Sequence, residues 1–200
     1  WAQISGDFST AASAWREVAD AHRSAGALPQ LASTLRRLAG VYELRNAWEA
    51  ALSAREAAAA AFASAGQPGE AAADRLAAAA HLRSAANFSG ALTLVATALP
   101  EAMAANRVDL QVRILGLQGN VRARMGHYDA GVEQVRQALD IALRHNLSGP
   151  AAEVYQRLAD SLEHMGDVHA ARQTYQAAAD FCHSQGAQTT EQLCLACMTV

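Results

Sequence analysis

The sequence predicts an all-α protein made of stacked antiparallel helix pairs, about five repeats of 40 residues each. Three observations predict it. Fifty of the 200 residues are alanine, against four prolines and four phenylalanines, and alanine enters a helix without losing side-chain freedom. A shift of 40 residues lines the sequence up with itself. No convincing strand pattern interrupts the repeat.

The registers are specific. Phe8, Trp48, Phe88, Tyr128 and Val168 share one register, and three residues later come Ala11, Ala51, Ala91, Gly131 and Ala171. A small residue three positions after an aromatic puts both on one helical face. The small one lets a neighbouring backbone approach while the aromatic fills the gap beside it. Trp48 is therefore expected in the core, and Trp48→Ala is expected to cost ~3–5 kcal/mol. Gly26, Gly66, Asn106, Asn146 and Gly186 form a third register, of residue types that tolerate the left-handed conformation closing a helix. Gly126 and Gly166, with Asn46 before them, mark a second break within the unit.

Each element follows from these breaks. The second helices of the units are predicted over 8–25, 48–65, 88–105, 128–145 and 168–185, and the first helices over 29–45, 69–85, 109–125 and 149–165. Pro29, Pro68 and Pro150 sit at or near helix starts, where a missing N–H costs little. Asp109 and Ser148 are expected N-caps. Pro100 falls inside a second helix and predicts a kink or an early end. At the ends, residues 1–5 align with 41–45 as the tail of a first helix, and 188–200 reads as a first helix without a partner. One array truncated mid-repeat at both ends, a piece of a longer protein, is the expected domain organisation. The uncovered C-terminal helix suggests a possible homodimer.

Composition excludes several functions. All 16 basic residues are arginine, so no lysine is present for a Walker phosphate loop, a kinase or a Schiff base. A formal net charge of −3 gives no general attraction to phosphate backbones or anionic lipid. No apolar run reaches the ~20 residues of a membrane span. No GxSxG elbow, HExxH pair or glycine-rich nucleotide fingerprint occurs. Cys194 and Cys197 form a CxxC, with Cys182 upstream, but no second pair completes a tetrahedral zinc site. Three thiols suit a reducing cytoplasm. Neither an enzyme nor a cofactor or metal is expected.

The units also resemble the tetratricopeptide repeat. Tyr155, Leu158, Ala159, Leu162, Gly166, Val168, Ala171, Tyr175 and Ala178 follow its pattern, as do Leu115, Gly119, Gly126, Tyr128, Gly131, Val135, Ala138 and Leu139. The alanine-rich units before them match less well. The period is 40 rather than the family's usual 34, and the proline that ends a unit is missing. The resemblance implies a right-handed superhelix whose first helices line a concave groove. Carried over by register, the groove positions are Arg36, Glu43, Arg83, Arg113, Asn120, Arg124, Glu153, Gln156, Asp160 and Glu163. Arginines beside Asn120 could hold a carboxylate or phosphate through forked hydrogen bonds; a solvated face is the plain alternative. The lysine–asparagine clamp of chaperone-binding members is absent.

Long, alanine- and arginine-rich units without lysine are also similar to the sensor arms of MalT-like regulators of the LuxR class. The stretch from Ala151 to Asp160, Phe181-Cys182 and the CxxC carry that likeness. It implies an interaction arm that binds a protein, a peptide, a small effector or other modules of its own chain, without touching DNA or membrane itself. A general assembly scaffold, or the regulatory arm of a larger signalling enzyme, stands beside it.

Overall fold

The computed structural model describes residues 7–185, and these form nine α-helices: α1 (Phe8–Ser24), α2 (Leu28–Leu44), α3 (Trp48–Ser64), α4 (Pro68–Ser84), α5 (Phe88–Ala104), α6 (Val108–Arg124), α7 (Tyr128–Arg144), α8 (Ser148–Met165) and α9 (Val168–Ser184). The even-numbered helices are the predicted first helices of the units, and the odd-numbered ones the second. Each helix packs on the next in sequence, and α6 also packs against both α4 and α8. The result is an all-α repeat superhelix, as the sequence predicts. The segments 1–5 and 188–200, Gly186, Cys194 and Cys197 lie outside the described residues.

One turn, repeated, sets this regularity. At every twentieth residue from Gly26 to Gly166 the backbone takes a positive φ, between 53° and 94°. The next residue's N–H reaches back to the carbonyl five residues before it, as from Ala47 to Tyr42 at 2.9 Å and from Asp167 to Leu162 at 3.0 Å. This bond satisfies a carbonyl that the ending helix leaves open. Seven of the eight positions are glycine or asparagine, and the eighth is Ala86, at φ 58°.

Turn spacing overrides local capping preference. The expected caps Asp109 and Ser148 lie inside α6 and α8, and the cap positions fall to Arg107 and Leu147, neither of which makes a capping bond. Asp7, Asn87 and Asp167 instead cap α1, α5 and α9 through their side chains. Pro100 does not end α5 early: the helix runs four residues beyond it. Pro100 and Ala96, whose carbonyl loses its intrahelical donor, are both exposed, so water can replace the bond.

The core runs as a strip between the helices. Its N-terminal part packs alanines (Ala58, Ala59, Ala71, Ala72) against Leu31, Leu35 and Phe62, and its C-terminal part is built of Val112, Ile114, Val121, Val135, Val154 and Leu162. The small register is buried as expected, with Ala51, Ala91 and Ala171 all at 2% exposure or less. Gly131 brings α7 onto α6: a Cβ there would sit 2.6 Å from the Gly119 carbonyl oxygen and the Ala123 nitrogen.

The aromatic register corrects the sequence reading at three of its five positions, while Phe8 and Phe88 pack half-buried against the core as expected. Trp48 is 45% exposed, Tyr128 40% and Val168 69%. Each opens a helix, where a side chain leaning back toward the N-terminus lies over the preceding turn, not in the core. Trp48 rests on His81, with ring centroids 4.6 Å apart.

Candidate ligand-binding inner face

The even helices present a row of polar side chains toward one another, and most of the predicted groove residues meet there. At the N-terminal end, Arg36 of α2 donates from Nε to Asp74 Oδ2 at 2.9 Å and from Nη1 to Glu70 Oε2 at 2.6 Å, both on α4. Its guanidinium also lies 4.4 Å from the Phe62 ring centroid. Glu43 is held by both forks of Arg55 on α3, at 3.0 and 3.1 Å. Arg55 in turn donates to Asp74 Oδ1 at 2.9 Å. Asp74 is 1% exposed, so a fully desolvated carboxylate sits between two arginines. That is the condition under which a buried charge is tolerated.

The C-terminal node is built around Asn120 of α6, which has no exposed surface. Its Oδ1 accepts from Arg83 Nε at 2.7 Å. Its Nδ2 donates to Asp160 Oδ2 at 2.6 Å, Ser161 Oγ at 2.9 Å and the Arg157 carbonyl at 3.2 Å. Asp160 also accepts from Arg83 at 2.8 Å and Arg124 at 3.0 Å. Three first helices therefore converge on one carboxylate: Arg83 comes from α4, Asn120 and Arg124 from α6, and Asp160 from α8. Burial acts to raise the Asp160 pKa, but the bond from Asn120 and the charges of Arg83 and Arg124 outweigh it and hold the carboxyl below its usual range.

Beside this node, Arg113 of α6 pairs with Glu153 of α8 at 3.2 Å. Arg157 donates to the Arg113 carbonyl at 2.6 Å and approaches Glu153 at 3.8 Å. Desolvation, with the nearby charges of Arg83 and Arg113, pulls the Arg157 guanidinium down to about 10 against the opposing pull of Glu153. The Nε atoms of Arg113 and Arg124 are buried without a hydrogen-bond partner.

The predicted residues thus divide. Arg36 and Glu43 belong to the first cluster; Arg83, Arg113, Asn120, Arg124, Glu153 and Asp160 to the second. Gln156 lies half-buried on α8, and Glu163 is exposed one turn beyond Asp160. The carboxylate expected to sit among the arginines beside Asn120 is supplied by the chain itself, as Asp160. Sequence reasoning missed Arg55, Glu70, Asp74, Arg157 and Ser161. The usable signal was opposite charge at about one period's separation, as in Arg36 with Glu70 and Asp74, Arg113 with Glu153, and Arg124 with Asp160.

Among the described residues no three His, Cys, Asp or Glu side chains gather as a metal site would require. No helix among them is long and apolar enough to cross a membrane.

Comparison with known proteins places this geometry among helical-repeat folds. A tetratricopeptide-repeat family model matches residues 152–181, which span most of α8 and α9. Among solved structures, BtubC (BKLC) from P. vanneervenii superposes with a TM-score of 0.71 at 18% identity, covering 92% of this chain and 77% of that one. A putative kinesin light chain from Podospora anserina with nearly identical TPR-like repeats gives 0.67 at 14% identity, covering 92% of each chain. A single-substitution variant of that kinesin light chain gives 0.69 at 15% identity, covering 92% of this chain and 91% of that one. These likenesses are of fold. No curated protein matches the sequence.

Proposed function

We propose that this chain is a non-catalytic scaffold that binds an acidic segment of a partner protein on its inner face, between α4, α6 and α8. One observation carries the reading. Among the described residues, the ion pairs of Arg83, Arg113, Arg124 and Arg157 run to two carboxylates, Asp160 and Glu153, with Asp109 adding a longer-range attraction to Arg113. A partner carboxylate entering here would meet preorganised forked donors and an excess of positive charge. At the other end, Glu43, Glu70, Asp74 and Asp109 outnumber Arg36, Arg55 and Arg107, so the inner face is polarised and an acidic segment would bind in one direction.

The finer reading makes the scaffold the sensing arm of a bacterial transcription regulator. It rests on the family likeness together with the Arg83–Asn120–Asp160–Arg124 node, which joins three first helices. A ligand carboxylate competing with Asp160 would loosen that joint and shift the population of solenoid curvatures. A general assembly scaffold uses the same face without the switch.

Titration with a glutamate-rich peptide and a glutamine-matched control tests the binding. Saturable binding of the acidic peptide is expected, weakened about tenfold or more by Arg83→Ala with Arg124→Ala, and weakened by salt. Equal binding of both peptides, or none, would remove the proposal. For the finer reading, deleting the arm from its parent protein should abolish inducer response; full regulation without it would leave the general scaffold.

A further inference from the structure

Three first helices each bring one arginine to the same stretch of the inner face, and the carboxylates around them do not balance the charge. Arg83 of α4, Arg113 of α6 and Arg157 of α8 are all half-buried. Arg157 has 17% of its side chain exposed, and the carboxylate oxygen it approaches, Oε2 of Glu153, is 3.8 Å away. Glu153 meanwhile pairs with Arg113 through its other oxygen at 3.2 Å. Desolvation disfavours the charge on Arg157, and Arg83 and Arg113 stand near enough to repel it as well. Asp160 is divided between Arg83 and Arg124. Asp109, which draws on Arg113 from farther off, is held by both forks of Arg107. A desolvated cation needs a full counter-charge, yet four guanidiniums here meet two carboxylates.

The pairing pattern separates one kind of anion from another. Asp74, Asp160 and Glu153 each bridge two arginines, one through each oxygen. Two arginines therefore fill a carboxylate in this fold. Three guanidiniums from three helices match an acceptor with three oxygens and about two negative charges, which is a phosphate monoester. Arg83 engages the node through Nε and Nη2, and Arg113 meets its carboxylate through Nη2; each guanidinium carries further N–H donors beyond those bonds. With no lysine in the chain, every basic donor at the site is a planar fork whose charge stays fixed.

We infer that the inner face binds a phosphorylated serine or threonine of its partner, with the phosphoryl group seated between Arg83, Arg113 and Arg157. The mode is recognition of a phosphorylated motif by an arginine cluster. The inference rests on the acidic-segment reading and names the group that takes the centre of that site.

A glutamate-rich peptide is made in three forms, with phosphoserine, serine or a pair of glutamates at its centre. Each is titrated calorimetrically into the full 200-residue chain. At about pH 7.5 the phosphoserine form should bind about tenfold tighter than the glutamate-pair form, which matches its charge but not its three clustered oxygens, and the serine form should bind weakest. At about pH 5.5 that advantage should shrink to about threefold or less, because the phosphoryl group loses its second charge near pH 6 while the glutamates stay ionised. Protonation of the chain's own carboxylates acts on both forms and cancels from the ratio. Arg113→Gln should bring the two affinities together with helical circular dichroism unchanged, and Arg113→Lys, which keeps the charge without the fork, should restore only part of the preference. Equal affinity for the phosphoserine and glutamate-pair forms would overturn this inference and leave the acidic-segment reading standing; no binding of any form would overturn both. A preference that survives Arg113→Gln, or inorganic phosphate binding as tightly as the phosphoserine peptide, would overturn it as well.

Discussion

Asp74 shows what single residues contribute to this solenoid. It is buried, and both of its oxygens are held by arginines from different helices. Removing it would leave Arg36 and Arg55 partly desolvated without their shared counter-charge. Asp74→Ala should therefore cost ~3–5 kcal/mol, visible as a lower urea midpoint; a loss below about 1 kcal/mol would mean that water replaces the carboxylate. Ala86 presents the opposite case. It holds a left-handed turn that glycine or asparagine holds at the seven equivalent positions. Ala86→Gly should relieve more strain than it adds in unfolded-chain freedom, stabilising the chain by ~0.5–1 kcal/mol in the same assay. Arg36, Asn120 and Asp160 were picked out by the tetratricopeptide resemblance carried over by register, and the structure places each in a cluster between the even-numbered helices. Asp74 was not, because an acid in an alanine-rich helix reads as solvated until its partners from α2 and α3 are placed.

Each helix is defined by its stop more than by its start. Gly and Asn at fixed intervals placed all nine described helices to within a residue or two, because a left-handed cap is a strong local requirement. N-caps were less legible: where spacing is already set by the turns, a helix begins after Leu147 or Arg107 without a capping side chain. The small register was legible for a related reason, since close helix approach admits nothing larger. Gly131→Ala should push α7 from α6 and cost about 1–3 kcal/mol by thermal or urea melting. An unchanged melt would show that the two helices can separate freely. Phe8 and Phe88 do pack against the core, but Trp48, Tyr128 and Val168 were misread because periodicity fixes a shared position without fixing how deeply each side chain is buried. Trp48 sits over a turn and is 45% exposed, so Trp48→Ala should cost ~1–2 kcal/mol, well below the value for a buried aromatic.

Across the whole array, neighbouring repeats are joined by a hydrophobic strip and by carboxylate–arginine nodes on one side. The strip was predictable from sequence, while the nodes depend on which charges one period apart face each other. These nodes make stability sensitive to acid. The folded Asp160 carboxyl lies below its ordinary value of 3.8, so its contribution is complete above that value and is lost as pH falls through the lower folded one. Glu101 has the opposite sign: burial raises it beyond what Arg75 offsets. Its contribution is present at low pH and fades as pH rises through the raised value. Asp160→Asn should therefore flatten the loss of stability below about pH 4 in a pH series of urea melts; an unaltered slope would place the acid sensitivity elsewhere. The proposed binding face is the one formed by the even-numbered helices. Hydrogen–deuterium exchange of the full chain, with and without the glutamate-rich peptide, tests it most directly. Added protection should concentrate on α4, α6 and α8; protection confined to the odd-numbered helices, or none at saturating peptide, would contradict it.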